Sequence, residues 1–290
     1  MTQKQKVLVA GATGTVGRQI VAELLARGHA VRALTRNPAT AALPADAEVV
    51  QGDLTDPDTL VPALEGVTGL HLITFGDAGF TPLETGPRIL DLARAAGVRR
   101  VTVLHGGGPT PAEDAVRAAD DLDWTVLMPV EFMSNALEWA DGITARDEVR
   151  EPFVERLSAM VHEGDIGAVA AVALTEAGHG GQEYILTGPE VLTVGDKVAV
   201  LAAARAREIR LVELGEEEAV AQWRAAGQPE EVIEFLLHVY GDTPEVGRTV
   251  VDTVEKVTGR PARTFTQWAA EHARSFTAAS GTTGHGVPRH

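Results

Sequence analysis

Apolar residues along this chain fall into short consecutive runs, separated by longer stretches with helical spacing. Val7-Leu8-Val9-Ala10, Ala30-Val31-Arg32-Ala33-Leu34, Glu48-Val49-Val50, Leu70-His71-Leu72-Ile73-Thr74, Val101-Thr102-Val103-Leu104 and Trp124-Thr125-Val126-Leu127 read as strands. Residues 16–26 and 87–96 read as helices between them. Strands that are apolar in succession, not in alternation, are expected where helices cover both faces of a sheet. The pattern therefore predicts an α/β fold with a doubly wound parallel sheet. From Glu131 the rhythm changes to a helix over 166–174, a short strand over 183–186 and several helices up to Ser275. The predicted organisation is a nucleotide-binding domain over 1–130 and a smaller α+β substrate-facing region over 131–276, with segments able to return to the first sheet. A disordered tail is expected over 277–290, where Ser, Thr and Gly follow one another closely.

Composition narrows the function classes. The 290 residues are 44% hydrophobic and 23% charged, as in an ordinary globular protein. No apolar run approaches the roughly 20 residues of a membrane-spanning helix, and the first residues run straight into a strand, so a cytoplasmic protein is expected. Without any cysteine there are no disulfides, thiolate metal sites or cysteine nucleophiles. A formal charge of −16 argues against broad nucleic-acid binding, which depends on Lys and Arg displacing counterions from phosphates.

The chemistry concentrates in Gly11-Ala12-Thr13-Gly14-Thr15-Val16-Gly17, between an apolar strand and an amphipathic helix. Gly11 permits a tight turn, Gly14 lets the backbone approach a pyrophosphate, and Gly17 lets the helix pack closely on the strand. The helix amino terminus offers unpaired N–H groups to the anion, so Gly11, Thr13, Gly14, Thr15, Val16 and Gly17 are the candidate cofactor contacts. A Rossmann-like fold follows. After the second strand an acid would bind the ribose of NAD, but here Thr35-Arg36-Asn37 stands at that place. Arg36 is the candidate for a bidentate contact with the ribose phosphate of NADP(H), against a solvated surface arginine as the alternative. Arg32 is a second candidate within the strand. Asp53 could accept a hydrogen bond from the adenine amino group and Leu54 could pack on the ring, with Asp56, before Pro57, capping the next helix.

At these residues the sequence resembles the short-chain dehydrogenase/reductase superfamily, in its atypical branch of NmrA-like proteins, quinone oxidoreductase type two and triphenylmethane reductase. The resemblance extends through Ala33-Leu34-Thr35-Arg36-Asn37-Pro38, Gly52-Asp53-Leu54, Asp123-Trp124-Thr125-Val126-Leu127, His162-Glu163-Gly164-Asp165-Ile166-Gly167 and Leu186-Thr187-Gly188-Pro189-Glu190. It implies a nicotinamide near Thr74-Phe75-Gly76, Leu104-His105-Gly106 and Pro129-Val130-Glu131-Phe132. Ordinary superfamily enzymes pair a tyrosine with a lysine four places later, and this chain has no such pair. His105-Gly106-Gly107-Gly108 replaces a serine-containing turn, and Met128 stands where related reductases often carry arginine.

His105, at a strand end beside glycines that open space, is the candidate proton donor, against a histidine that merely satisfies a carbonyl. Glu131 and Asn135 are candidate polar contacts to substrate, with Phe132 and Met133 as an apolar wall. A helix starting near Thr110-Pro111 would put Glu113 in its first turn, which the helix dipole alone would explain. His162-Glu163-Gly164-Asp165 lacks the spacing of a helical zinc motif; Asp165 reads as a cap for the helix after it, and no metal is expected. His71 reads as a buried, hydrogen-bonded residue. The leading expectation is an NADPH-dependent reductase of a small conjugated or aromatic acceptor such as a quinone, ketone or imine. The alternatives are an NmrA-like NADP-sensing regulator that binds a protein partner, and a non-redox cyclase or lyase on the same scaffold.

Overall fold

The structure is a computed structural model that describes residues 4–76 and 81–277, so the expectation for the tail from residue 278 lies outside the described residues. In chain order the elements are β1 (Lys6–Val9), α1 (Thr15–Ala26), β2 (Ala30–Thr35), β3 (Glu48–Gln51), α2 (Val61–Leu64), β4 (Gly69–Ile73), α3 (Gly86–Ala95), β5 (Arg100–Leu104), α4 (Pro111–Arg117) and β6 (Asp123–Pro129). There follow α5 (Ala140–Arg146), β7 (Glu148–Pro152), α6 (Glu163–Thr175), β8 (Gln182–Leu186), α7 (Val194–Ala204), β9 (Arg210–Leu214), α8 (Glu216–Ala225), α9 (Glu230–Gly241), α10 (Thr253–Thr258) and α11 (Phe265–His272). Two compact units are formed. One draws on Met1–Ser134, Ala159–Val191 and Glu245–Thr264, the other on Asn135–Ser158, Leu192–Pro244 and Phe265–His290.

The first unit holds a parallel sheet in the order β3-β2-β1-β4-β5-β6-β8. β1 shows why its residues are apolar without alternation: Leu8 and Ala10 belong to the core on one face of the sheet, Val7 and Val9 to the core on the other. α1 buries Val16, Gly17, Ile20, Val21 and Leu24, a stripe that repeats with the helical period against the second core. α6 is buried along its whole length and packs on α1. Gly167 permits that contact, because a Cβ there would lie 2.8 Å from the Gln19 carbonyl carbon. The strand expected over 183–186 returns to the main sheet as β8, beside β6.

The second unit contains a pair that the hydrophobic pattern did not predict, the parallel strands β7 and β9. Glu148, almost fully buried, takes ion pairs from Arg150 at 3.2 Å and from Arg210. Charged residues thus occupy strand positions where alternation of apolar residues was the only available signal. Trp268 anchors the core of this unit, stacked between Phe265 and His272 at ring separations of 5.4 and 4.3 Å. Arg156 lies 4.0 Å over the Tyr240 ring and pairs with Glu151 at 2.9 Å. No described helix is long and apolar enough to cross a membrane.

His71 sits in the middle of β4, fully buried, with Nδ1 2.8 Å from the Thr102 hydroxyl and Nε2 without a partner among the described residues. Burial lowers its pKa from 6.5 to about 3. The folded ring stays neutral while the unfolded chain takes up a proton below about pH 6.5, so stability falls as pH drops through the window from 6.5 to 3. The loss is about 1.4 kcal/mol per pH unit for this one group. Urea unfolding at stepped pH should show this component in the native protein and not in His71→Val; equal pH slopes in the two proteins would contradict it.

Candidate functional site

Because the sheet is parallel, the segments after β1, β2, β3, β4 and β5 all leave from one edge. Val9 pairs with Ala33 and with His71, Leu34 with Val50, and Ile73 with Leu104. The glycine turn after β1 therefore stands in the centre of a row. Arg36 and Asp53 lie one and two strands to one side, and Thr74 and His105 one and two strands to the other. At the usual strand spacing, His105 is about 10 Å along the edge from the turn. The order also reverses between β1 and β4, which is where ligands of open α/β sheets bind.

The turn has the local geometry an anion requires. Gly11 has φ +62°, and its carbonyl accepts the Gly14 N–H at 2.9 Å. At Gly17 a Cβ would lie 2.0 Å from the Gly11 oxygen and 2.9 Å from Cα of Ala12, so only glycine lets α1 sit this close to the turn. The first intrahelical bond runs from the Arg18 N–H to the Gly14 carbonyl, which leaves the Thr15, Val16 and Gly17 N–H groups at the helix mouth. Gly14 and Thr15 are exposed and Thr13 half-buried. The Val16 side chain is in the core, which confines its contact with an anion to the backbone.

Arg18 was not singled out from the sequence. Its guanidinium donates to the Thr13 carbonyl at 2.6 Å and to the Gly14 carbonyl at 3.4 Å, bracing the outer side of the turn. The available signal was a cation in the opening turns of a helix, where the dipole disfavours it.

Arg36 is exposed just after β2, and among the described residues no carboxylate reaches it at ion-pair distance. Its charge helps to lower the pKa of Asp53, after the larger effects of the Thr55 N–H and hydroxyl on that carboxylate. Asp53 Oδ1 accepts from both at 2.9 and 2.8 Å. Asp56 does not cap with its side chain as expected; its carbonyl receives the Thr59 N–H and hydroxyl instead. Leu54 belongs largely to the core. Arg32 is removed from the cofactor candidates, because its guanidinium donates to the carbonyls of Pro62, Ala63 and Glu65 around the end of α2 and to Glu48.

On the other side of the turn, the Thr74 hydroxyl donates to the Leu104 carbonyl at 3.2 Å. The space beside Gly106 is not open as expected, since a Cβ there would lie 1.8 Å from Cε2 of Phe75, whose ring rests on this glycine. Gly107 and Gly108 do face open space. The His105 N–H is held by the Leu127 carbonyl at 2.8 Å, and its Nδ1 lies 2.8 Å from Oε1 of Glu113. The dipole explanation of Glu113 is thus insufficient: Thr110 caps α4, while the Glu113 side chain, 0% exposed, turns to the histidine. Its other oxygen receives Arg117 at 3.3 Å, and Arg117 Nε donates to Glu183 at 2.7 Å. The Glu183 carboxylate, with Glu113, raises the Arg117 pKa further.

The Val161 N–H donates to the Glu131 carbonyl at 2.8 Å, and Phe132 bridges to Val161 and packs on the core. Met133 is fully buried. Asn135 belongs to the second unit. At α6 the cap is His162, whose Nδ1 accepts the Gly164 N–H; Asp165 instead takes the Arg263 N–H at 2.7 Å and guanidinium at 2.5 Å. Among the described residues no group of three or more His, Asp or Glu is placed to hold a metal ion.

A family model described as NAD(P)H-binding matches residues 11–110. Over 284 residues the chain is 37% identical to the (4-alkanoyl-5-oxo-2,5-dihydrofuran-3-yl)methyl phosphate reductase of Streptomyces griseus, covering 93% of this chain and 99% of that protein. It is 34% identical over 290 residues to the NAD(P)H azoreductase of Xenophilus azovorans, covering 94% and 100%. The crystal structure of an NADPH-dependent quinone oxidoreductase from Escherichia coli, complexed with NADPH, superposes with a TM-score of 0.75 at 25% identity, over 91% of this chain and 99% of that one.

The close contact at Gly17 generates a prediction. Gly17→Ala forces α1 off the turn and should cost about 1–3 kcal/mol in urea unfolding, together with a loss of NADPH affinity in fluorescence titration. Unchanged values of both would show that the turn tolerates a Cβ.

Proposed function

The chain belongs to the NAD(P)H-binding, atypical branch of the short-chain dehydrogenase/reductase superfamily, and from that premise we propose that it is an NADPH-dependent reductase of small conjugated acceptors. The observation that carries this reading is the single row formed by the glycine turn, Arg36 and His105 along one sheet edge. Bound there, NADPH supplies the hydride. Gly11, Thr13, Gly14, Thr15, Val16 and Gly17 cradle the pyrophosphate with backbone N–H groups, and the missing Cβ atoms at Gly14 and Gly17 fit that role. Arg36, exposed and unpaired among the described residues, binds the ribose phosphate. Asp53 keeps Oδ2 for the adenine amino group while Thr55 occupies Oδ1. Thr74 and Phe75 border the nicotinamide, and Glu131 and Phe132 contact the acceptor.

His105 supplies the proton. Its Nδ1 is committed to Glu113, so Nε2 is the nitrogen that remains to serve the acceptor. A dihydrofuranone bearing an alkanoyl group, an azo group and a quinone, the acceptors named for the similar proteins, are all conjugated electrophiles. Hydride addition to any of them leaves an anion that a neighbouring acid must protonate.

Purified protein should oxidise NADPH when offered a panel of quinones, butenolides and azo compounds. Arg36→Ala should raise the KM for NADPH about 10- to 100-fold and leave that for NADH nearly unchanged, the loss of a charge-assisted pair. Equal effects on the two cofactors would remove Arg36 from the phosphate site. His105→Gln should slow kcat by about 10²-fold without weakening NADPH binding; full turnover in that variant at every pH would end the assignment of His105.

A further inference from the structure

The carboxylate of Glu113 has no exposure to solvent and yet forms part of a chain of alternating charge. His105 Nδ1 stands 2.8 Å from Oε1, Arg117 Nη1 3.3 Å from Oε2, and Glu183 2.7 Å from Arg117 Nε. A buried carboxylate is costly unless paired and hydrogen-bonded, and α4 could have been capped and polarised by exposed acids such as Asp114. The placement therefore needs a reason other than the helix end. We propose that Glu113 is the positioning residue of the reductase, fixing His105 so that Nδ1 keeps its proton and Nε2 delivers the one that the acceptor takes.

This inference rests on the reductase reading above and adds a residue to it. Glu113 accepts only, so the neutral imidazole bonded to it must carry its proton on Nδ1. The charged ring carries a second proton on Nε2. When that proton passes to the anion left by hydride addition, the N–H bond at Nε2 breaks, an O–H, N–H or C–H bond forms on the acceptor, and His105 returns to the tautomer already bonded to Glu113. Neither a ring flip nor a tautomer exchange intervenes, and solvent returns the proton to Nε2 between turnovers. Arg117 holds the second oxygen of Glu113, and Glu183 holds Arg117, so the carboxylate cannot rotate away. The His105 N–H bond to Leu127 anchors the ring from the strand side.

Glu113→Gln keeps the shape of the side chain but presents an amide whose NH2 can donate to Nδ1, which favours the opposite tautomer with the proton on Nε2. Two readouts test the proposal. In 15N-labelled native protein, long-range 1H–15N correlation of the neutral His105 ring should show the proton on Nδ1, and in Glu113→Gln that signature should be lost. In steady-state assays Glu113→Gln should lower kcat at least about tenfold with the KM for NADPH unchanged, and in a His105→Gln background it should add little, because the two residues act as one unit. If His105→Gln is fully active, the reductase reading loses its acid. If His105→Gln is slow while Glu113→Gln keeps native kcat, the positioning role alone is overturned. A native His105 ring with its proton on Nε2 overturns it as well, and that spectrum needs no variant to fold.

Discussion

The first unit depends on a contact only glycine can make, the approach of α1 to the end of β1. Gly17 lies so near Gly11 that a Cβ would overlap the carbonyl oxygen. That closeness lets the helix begin directly over the strand end and leaves its first N–H groups facing the sheet edge. Parallel pairing then does the rest, because every strand delivers its next residue to the same edge in register. A glycine turn, a cation, a carboxylate and an imidazole become a line without any long loop having to bring them together.

Polar groups along the line divide by what they already hold. Arg32 and Asp165, plausible from their residue types, are already engaged within the fold, the terminal nitrogens of Arg32 by carbonyls and a carboxylate and Asp165 by an arginine. Arg36 and the Nε2 of His105 have no such partner among the described residues. Groups with unused hydrogen-bonding capacity at a sheet edge are the ones that can change partners when a ligand arrives. The same test separates the two nitrogens of His71, one bound to Thr102 and one enclosed away from the edge, from those of His105.

The fold of the main sheet was legible in the sequence because burial on both faces writes itself as consecutive apolar residues, as in Val7-Leu8-Val9 and Val101 to Leu104. β7 and β9 were not, since Glu148 is satisfied as an ion by Arg150 and Arg210, a pairing with no hydrophobic signature. The glycine turn, and the exposed place of Arg36 just after β2, were legible from position relative to a strand and a helix. The link from His105 to Glu113 was not, because eight residues and a helix start separate them, and a glutamate in a first turn has an adequate local explanation. Arg18 was hidden in a helix that looked complete without it, and Phe75 on Gly106 depends on two strand ends meeting.

Hydride delivery from NADPH held on this edge can be followed in a single turnover. Protein loaded with NADPH deuterated at the transferring position of the nicotinamide would be mixed with a quinone or butenolide in a stopped-flow cell and followed by loss of reduced-nicotinamide absorbance. One equivalent should be oxidised per chain, more slowly with deuterium than with hydrogen, with deuterium in the product of a carbon acceptor. Tight NADPH binding with no oxidation by any conjugated acceptor would contradict it.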